Sequence, residues 1–248
     1  FKLHGFSSNT SRKLNYIYKY YDLFAALFCV IIADKRKEGK CDLSKLVSLP
    51  HGFAERKFRR FKNKKTEVQR MERFILQPAN RKEAEKAMAL IDEAKEFLKS
   101  QGIDQWQTGY PDMETIIGDL EHGRGYFIEE GSNAAAYLCI DFAGEASYET
   151  LQGSWKSDLP YAVVHRMAIS GAYRGHGIAS IAFQLIEELC IQNGIYSVRV
   201  DTDEKNAIMR HVLEKNGFDY CGTIWFDNSV KYAYEKMLKR DAGVNGAV

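Results

Sequence analysis

Hydrophobic and polar positions change period several times along the chain, and those changes divide it into elements. From Asn80 to Gln101, apolar residues at Ala84, Ala87, Ala89, Ile91, Ala94, Phe97 and Leu98 recur near helical spacing, and Gly102 stops the run. That pattern predicts one amphipathic helix. A second, shorter helix fits Pro111 to Glu121, with Pro111 in its first turn and His122-Gly123 at its end. Arg73 to Pro78 reads as a strand before both. Gly125 to Glu129 and Asn133 to Phe142 read as antiparallel partners, because Glu130-Gly131-Ser132 between them supplies turn residues. Further strands are predicted at Tyr161 to Ile169, Tyr196 to Thr202, Asp219 to Phe226 and Lys231 to Met237, with Asp227-Asn228 marking the last turn. Helical runs at Ile178 to Asn193 and Asn206 to Phe218 alternate with these strands, so the pattern predicts an α/β fold on a mixed sheet.

The junction between the Tyr161 strand and the Ile178 helix carries the most chemistry. It reads Tyr173-Arg174-Gly175-His176-Gly177-Ile178-Ala179-Ser180. Two glycines let the backbone turn tightly, and the free N–H groups at the start of a helix favour an anion there. A pyrophosphate is the natural ligand of such a turn.

The spacing Arg174-x-x-Gly177-x-Ala179 after a hydrophobic strand resembles the (Gln/Arg)-x-x-Gly-x-(Gly/Ala) motif of the GNAT superfamily of N-acetyltransferases. Downstream, NAIMRHVLEKNGF from Asn206 to Phe218 is similar to that family's Asn-led helix ending in a Gly-Phe pair. The resemblance runs from about residue 73 to residue 238. It implies the GNAT fold, a mixed sheet of about six to seven strands splayed at the acetyl-CoA site, with about four helices.

The resemblance further implies that acetyl-CoA lies between the strand ending at Ile169 and the strand beginning near Tyr196. Backbone groups of Met167, Ala168 and Ile169 are then expected to pair with the pantetheine arm like an added strand. Gly175, His176, Gly177, Ile178 and Ala179 would surround the pyrophosphate, Arg174 would add charge, and Ser180 a hydroxyl. Asn206 matches the family's cofactor-contacting asparagine, and it is equally placed to cap the helix that begins near Ala207.

Acetyl transfer to an amine needs a neutral nucleophile, a polarised carbonyl and an acid for the departing thiolate. Period-two alternation places Val163, His165, Met167 and Ile169 on one face of their strand, opposite Val164, Arg166 and Ala168. His165 is the polar exception in its row. An imidazole with an ordinary pKa of about 6.5 can relay a proton from a substrate ammonium; a hydrogen-bonded structural histidine is the plainer reading. The family often places a tyrosine acid before the Glu-Lys that precedes Gly-Phe, but here that position is Leu213. Tyr220 is the replacement candidate, or simply a strand tyrosine. Trp106 and Tyr110 are placed to bracket the acceptor or to anchor a loop. The long connection from Gly144 to Leu159, with Tyr148, Glu149 and Trp155, reads as a lid or as plain surface.

Composition then divides the chain in two. Residues 1 to 73 carry 18 Lys and Arg against 7 Asp and Glu, whereas the remainder carries 17 against 26. The opposite signs point to a basic, mainly helical appendage at 1–72, an acetyltransferase domain at 73–240 and a tail at 241–248. In the appendage, Leu23 to Ala33 is an apolar run of 11 residues, short of the roughly 20 that a membrane span needs. Asp42 to Phe61 is compatible with a helix-turn-helix on nucleic acid, since a cationic face releases counterions from phosphates. Phe53, Phe58 and Phe61 equally fit a buried helical face.

The five cysteines form no CxxC pair and no metal-ligand spacing with histidine, so reduced thiols, a cytoplasmic setting and no metal are expected. The first residue is Phe rather than Met, as expected of a fragment or a processed chain. The expected activity is transfer of acetyl from acetyl-CoA to an amine, by direct attack in a ternary complex, with a small molecule or a peptide as acceptor. A non-catalytic acyl-CoA-binding regulator, its basic module on nucleic acid, is the alternative. The third expectation is a homodimer in which the basic segment mediates self-association, since the resemblance implies exposed edge strands and frequent dimers.

Overall fold

In the computed structural model, residues 70–226 and 229–239 are described. From Glu72 onward they belong to one compact unit. The apolar run at Leu23–Ala33, the basic stretch at Asp42–Phe61, the turn at Asp227–Asn228 and the tail from Asp241 lie outside the described residues.

Eight strands form one sheet: β1 (Phe74–Pro78), β2 (Gly125–Glu130), β3 (Asn133–Asp141), β4 (Gln152–Gly153), β5 (Ala162–Ile169), β6 (Ser197–Asp203), β7 (Asp219–Phe226) and β8 (Ser229–Met237). Their spatial order is β1-β2-β3-β5-β6-β8-β7-β4, and β5 with β6 is the parallel pair among otherwise antiparallel ladders. Among the described residues, four α-helices flank the sheet: α1 (Ala84–Ser100), α2 (Met113–Glu121), α3 (Ile178–Gln192) and α4 (Ala207–Lys215).

Local chemistry sets the helix ends. Asn80 and Glu83 form a reciprocal capping box on a short 3₁₀ turn, Arg81–Glu83, so α1 proper begins at Ala84 rather than at Asn80. Its buried residues Ala84, Ala87, Leu90, Ile91 and Ala94 pack with Ile116 and Leu120 of α2 and with Phe127 and Tyr137 of the sheet. Pro111 stands outside α2 rather than in its first turn. Asp112 is the cap, accepting from Thr115 N at 2.9 Å, because its side chain satisfies an amide that helix geometry leaves without a partner.

The stretch Gly144–Leu159 holds structure that alternation did not forecast, a 3₁₀ turn at Ala146–Thr150 and the two-residue strand β4. β4 lies against β7 through Gly153 and Gly222. A Cβ on Gly153 would stand 2.0 Å from the Cys221 carbonyl oxygen, and one on Gly222 would stand 2.3 Å from that of Gln152. Only glycine permits this approach, and the φ angles of 152° and 144° suit no other residue.

One irregularity shapes the centre of the sheet. Between β3 and β5 the register shifts, with Tyr137 opposite Ala168 and Cys139 opposite His165, so Arg166 and Met167 share the place opposite Leu138. Arg166 takes the strain of this bulge with φ of 54°, in the left-handed region that a branched or bulky side chain rarely enters. On its other edge β5 pairs with β6 only at Ala162↔Val198 and Val163↔Arg199. Beyond Val163 the two strands part, and a V opens in the sheet.

Candidate active site

A cavity of about 360 Å³ occupies the V, lined from β5, β6, the glycine turn, α4 and the loop between α1 and α2. It gathers Trp106, Tyr110, His165, Met167, Ile169, Arg174, Gly175, Gly177, Ile178, Ala179 and Asn206, all singled out in the sequence. Ala168, His176, Ser180 and Tyr220 do not line it. Ala168 is fully buried in the core beneath α1, His176 turns its Nδ1 to the Arg174 carbonyl at 2.8 Å, and Ser180 accepts from Asn216 Nδ2 at 3.1 Å. Tyr220 is 52% exposed on β7, edge-on to Tyr232 and Tyr234, which takes it away from any chemistry in the cavity. Its position after Gly-Phe starts a strand whose bulge at Cys221 resets which residues face inward.

The turn fits a pyrophosphate on its own geometry. Gly175 and Gly177 have φ of 75° and 73°, and no atom lies within 4 Å of a Cβ built on Gly175. Among the described residues, no acceptor meets the N–H groups of Gly175 and Gly177. Gly177 then caps α3 in the left-handed conformation. Arg174 lies beside this turn with Nε on the Ile169 carbonyl at 3.3 Å and Nη2 on the Glu93 carbonyl at 2.9 Å, its guanidinium 4.5 Å over the Phe97 ring. An anion on the turn would meet two unused amides and a cation held mainly by neutral carbonyls.

At the other end of the cavity the bulge decides the chemistry. Strict alternation predicted His165 and Arg166 on opposite faces of β5, yet Val164, His165, Arg166 and Met167 all line the cavity. The left-handed turn at Arg166 breaks the period. His165 Nε2 lies 3.6 Å from Glu145 Oε2. Burial holds the imidazole below its usual pKa; Asp201, Glu145 and Asp119 pull it up and Arg166 pushes it further down. It is therefore neutral at physiological pH. Arg166 forks onto Asp119 of α2 and donates from Nη1 to Tyr110 Oη at 2.6 Å. Burial raises the Tyr110 phenol despite that guanidinium, and its ring meets Phe226 edge-on at 6.4 Å.

Asn206 caps α4 by accepting from Met209 N at 3.0 Å, and its Nδ2 donates to Gln105 Oε1 at 3.0 Å. The same side chain that starts the helix thus ties it to the loop bearing Trp106. Residues that alternation and motif did not single out complete the lining, among them Asp201, Thr202, Phe226 and Lys231. Tyr148, in the expected lid, donates to Asp201 Oδ1 at 2.9 Å.

Residues 88–218 match the sequence profile described as Acetyltransferase (GNAT) family, more than half of the chain. The chain belongs to the GNAT acetyltransferase family. Solved structures agree with that assignment. A GNAT-family acetyltransferase from Streptococcus agalactiae 2603 is 34% identical, with a TM-score of 0.63 over 67% of this chain and 96% of that one. A GNAT-family acetyltransferase from Listeria monocytogenes 4b F2365 is 22% identical, with a TM-score of 0.55 over 66% and 95%. The aminoglycoside acetyltransferase AAC(6')-Ib, solved with coenzyme A, shares 12% identity and a TM-score of 0.50 over 66% and 94%. A search of curated proteins finds no match to the sequence.

The V opens after Val163, where pairing with β6 ends, and the bulge that β5 makes against β3 follows at Arg166 and Met167. Among the described residues, no helix is long and apolar enough to cross a membrane. Cys139, Cys190 and Cys221 are buried and unpaired.

Proposed function

We propose that this GNAT protein transfers the acetyl group of acetyl-CoA to an amine by direct attack in a ternary complex. The observation that carries the reading is the pairing, in one cavity, of an anion-ready glycine turn with a buried neutral histidine. Acetyl-CoA supplies the activated thioester. Gly175, Gly177 and Arg174 would hold its pyrophosphate, while the edge of β5 beyond Val163, released from β6, offers backbone groups at Met167 and Ile169 to the pantetheine arm. His165, neutral because it is buried, takes a proton from the acceptor ammonium. The amine lone pair then forms the C–N bond as the C–S bond breaks, its electron pair leaves on sulfur, and of the two protons left on nitrogen one goes to the thiolate and the other stays on the amide.

The geometry supports Trp106 and Tyr110 as walls of the acceptor end, because both line the cavity beside the groups that would act on the amine. Calorimetry of acetyl-CoA with the full chain, followed by thiol release over a panel of amines, tests the reading. Binding with turnover supports it. Binding without turnover on any amine moves the weight to an acyl-CoA-binding regulator, and no binding removes the phosphate-turn assignment.

A further inference from the structure

Arg166, Lys231, His165 and Asp201, which line the cavity outside the glycine turn, differ in how their charge is answered. Arg166 is matched by Asp119, and Lys231 Nζ is matched by Asp203 Oδ2 at 3.2 Å in a pair exposed by only 4% and 8%. His165 is neutral, with Glu145 behind it. Asp201 is different. Its Oδ1 accepts from Tyr148 Oη at 2.9 Å, and among the described residues no Lys or Arg stands within salt-bridge distance of either oxygen. The carboxylate is oriented but its charge has no counterpart, at a place where low dielectric strengthens any charge that arrives.

Position in the sheet gives that charge a meaning. The last bonded pair of the parallel ladder is Val163 with Arg199, and two residues further on each strand lie His165 and Asp201, where the V opens. The two side chains that flank the split are thus a proton acceptor and an anion. Tyr110 and Asp201 are near enough to influence one another electrostatically, so the aromatic wall and the carboxylate belong to the same end. Next along β6, Thr202 is 1% exposed and lines the cavity, and its hydroxyl has no hydrogen-bond partner. A buried hydroxyl left unpaired is costly, and a polar ligand in the cavity would answer it.

We propose that Asp201, set in place by Tyr148, binds the ammonium of the acceptor, and that the acceptor is a primary amine on an apolar body with no carboxylate beside the amine. This rests on the acetyltransferase reading above. The ammonium supplies the missing counter-charge and stands next to His165, which takes its proton in the step already described. Trp106, Tyr110 and Phe226 cover the apolar body. An α-carboxylate would face Asp201 and find every described cation at this end already paired, so free amino acids are selected against.

The test uses the full chain and two matched pairs of acceptors, phenethylamine with phenylalanine and pentylamine with norleucine. Each pair differs by the α-carboxylate alone. Acetyl-CoA affinity is measured first by calorimetry; if it is absent, the acetyltransferase reading falls and this assignment with it. With binding established, the amines are expected to exceed their amino acids at least about tenfold in kcat/KM, the size of about 1.4 kcal/mol. Asp201→Asn is expected to raise KM for both amines about tenfold or more while acetyl-CoA affinity stays unchanged.

The same substitution removes a field that pulls the His165 pKa up, together with those of Glu145 and Asp119 and against that of Arg166, so the acid limb of kcat/KM moves to lower pH. Tyr148→Phe shifts KM in the same direction by less. An unchanged KM in Asp201→Asn, amino acids as good as amines, or bound acetyl-CoA with neither amine acetylated would each overturn the proposal.

Discussion

Arg166 of β5 grips Asp119 of α2 through two parallel hydrogen bonds, Nε to Oδ2 at 2.7 Å and Nη2 to Oδ1 at 2.6 Å. The pair is nearly out of water, with side chains exposed by 11% and 2%, and Tyr137 Oη adds a third bond to the same carboxylate at 3.1 Å. Because the guanidinium also donates to Tyr110, one side chain joins the sheet, the second helix and the loop between α1 and α2. The left-handed backbone at Arg166 is the cost of pointing it there.

Removing one partner of this pair strands the other without water. Asp119→Ala is expected to lower unfolding stability by about 3–5 kcal/mol, since the Arg166 charge stays buried and unanswered. Urea unfolding of the variant measures it. A loss under about 1 kcal/mol would mean that water reaches the guanidinium.

Charge reversal at the glycine turn acts on binding rather than on folding. Arg174→Glu places a carboxylate beside the amides of Gly175 and Gly177, so acetyl-CoA affinity is expected to fall at least about tenfold with the melting temperature little changed. Calorimetry and thermal unfolding on the same sample separate the two effects. Unchanged affinity removes Arg174 from the cofactor site.

His165 sets a pH dependence whose sign follows from burial. Its folded pKa lies below the usual value of about 6.5, so the neutral base is present at pH 7 and is lost only as pH falls through the lowered value. The acid limb of kcat/KM therefore lies below about pH 6.5. Stability moves with it: as pH falls through about 6.5 the unfolded chain takes up this proton first, and the native state loses stability until the folded pKa is reached. His165→Ala is expected to lower kcat about 100-fold and to abolish that limb. A pH profile of the variant that matches the parent would assign the limb to another group.

Gly222 tests the crossing of β4 and β7. Gly222→Ala places a methyl 2.3 Å from the Gln152 carbonyl oxygen at a φ of 144°, and neither backbone can yield without breaking the β4 ladder. A stability loss of about 2 kcal/mol or more is expected in chemical unfolding. Gly102→Ala, with no atom within 4 Å of its added Cβ, is the control that carries only the cost of a positive φ.

Much of this molecule was legible without coordinates. Helical spacing from Ala84 to Leu98, the turn residues between β2 and β3, and the motif from Arg174 to Ala179 each depend on neighbours a few positions apart, and the fold keeps all of them. Capping at Asn206 was legible for the same reason, because a cap acts on the next three residues. The glycine turn and the family's fold were therefore determined by the sequence itself.

The end of the cavity around His165, Arg166 and Asp201 was decided by tertiary structure. The bulge gives Arg166 a left-handed backbone and brings it to the cavity beside His165, a place that could not follow from alternation. Tyr148 meets Asp201 across 53 positions, and Arg166 meets Asp119 across 47, and no local period encodes such pairs. They form because burial leaves each polar group to find a partner wherever packing brings one. Asp201 is the residue for which the chain brought a hydroxyl and left the charge unanswered.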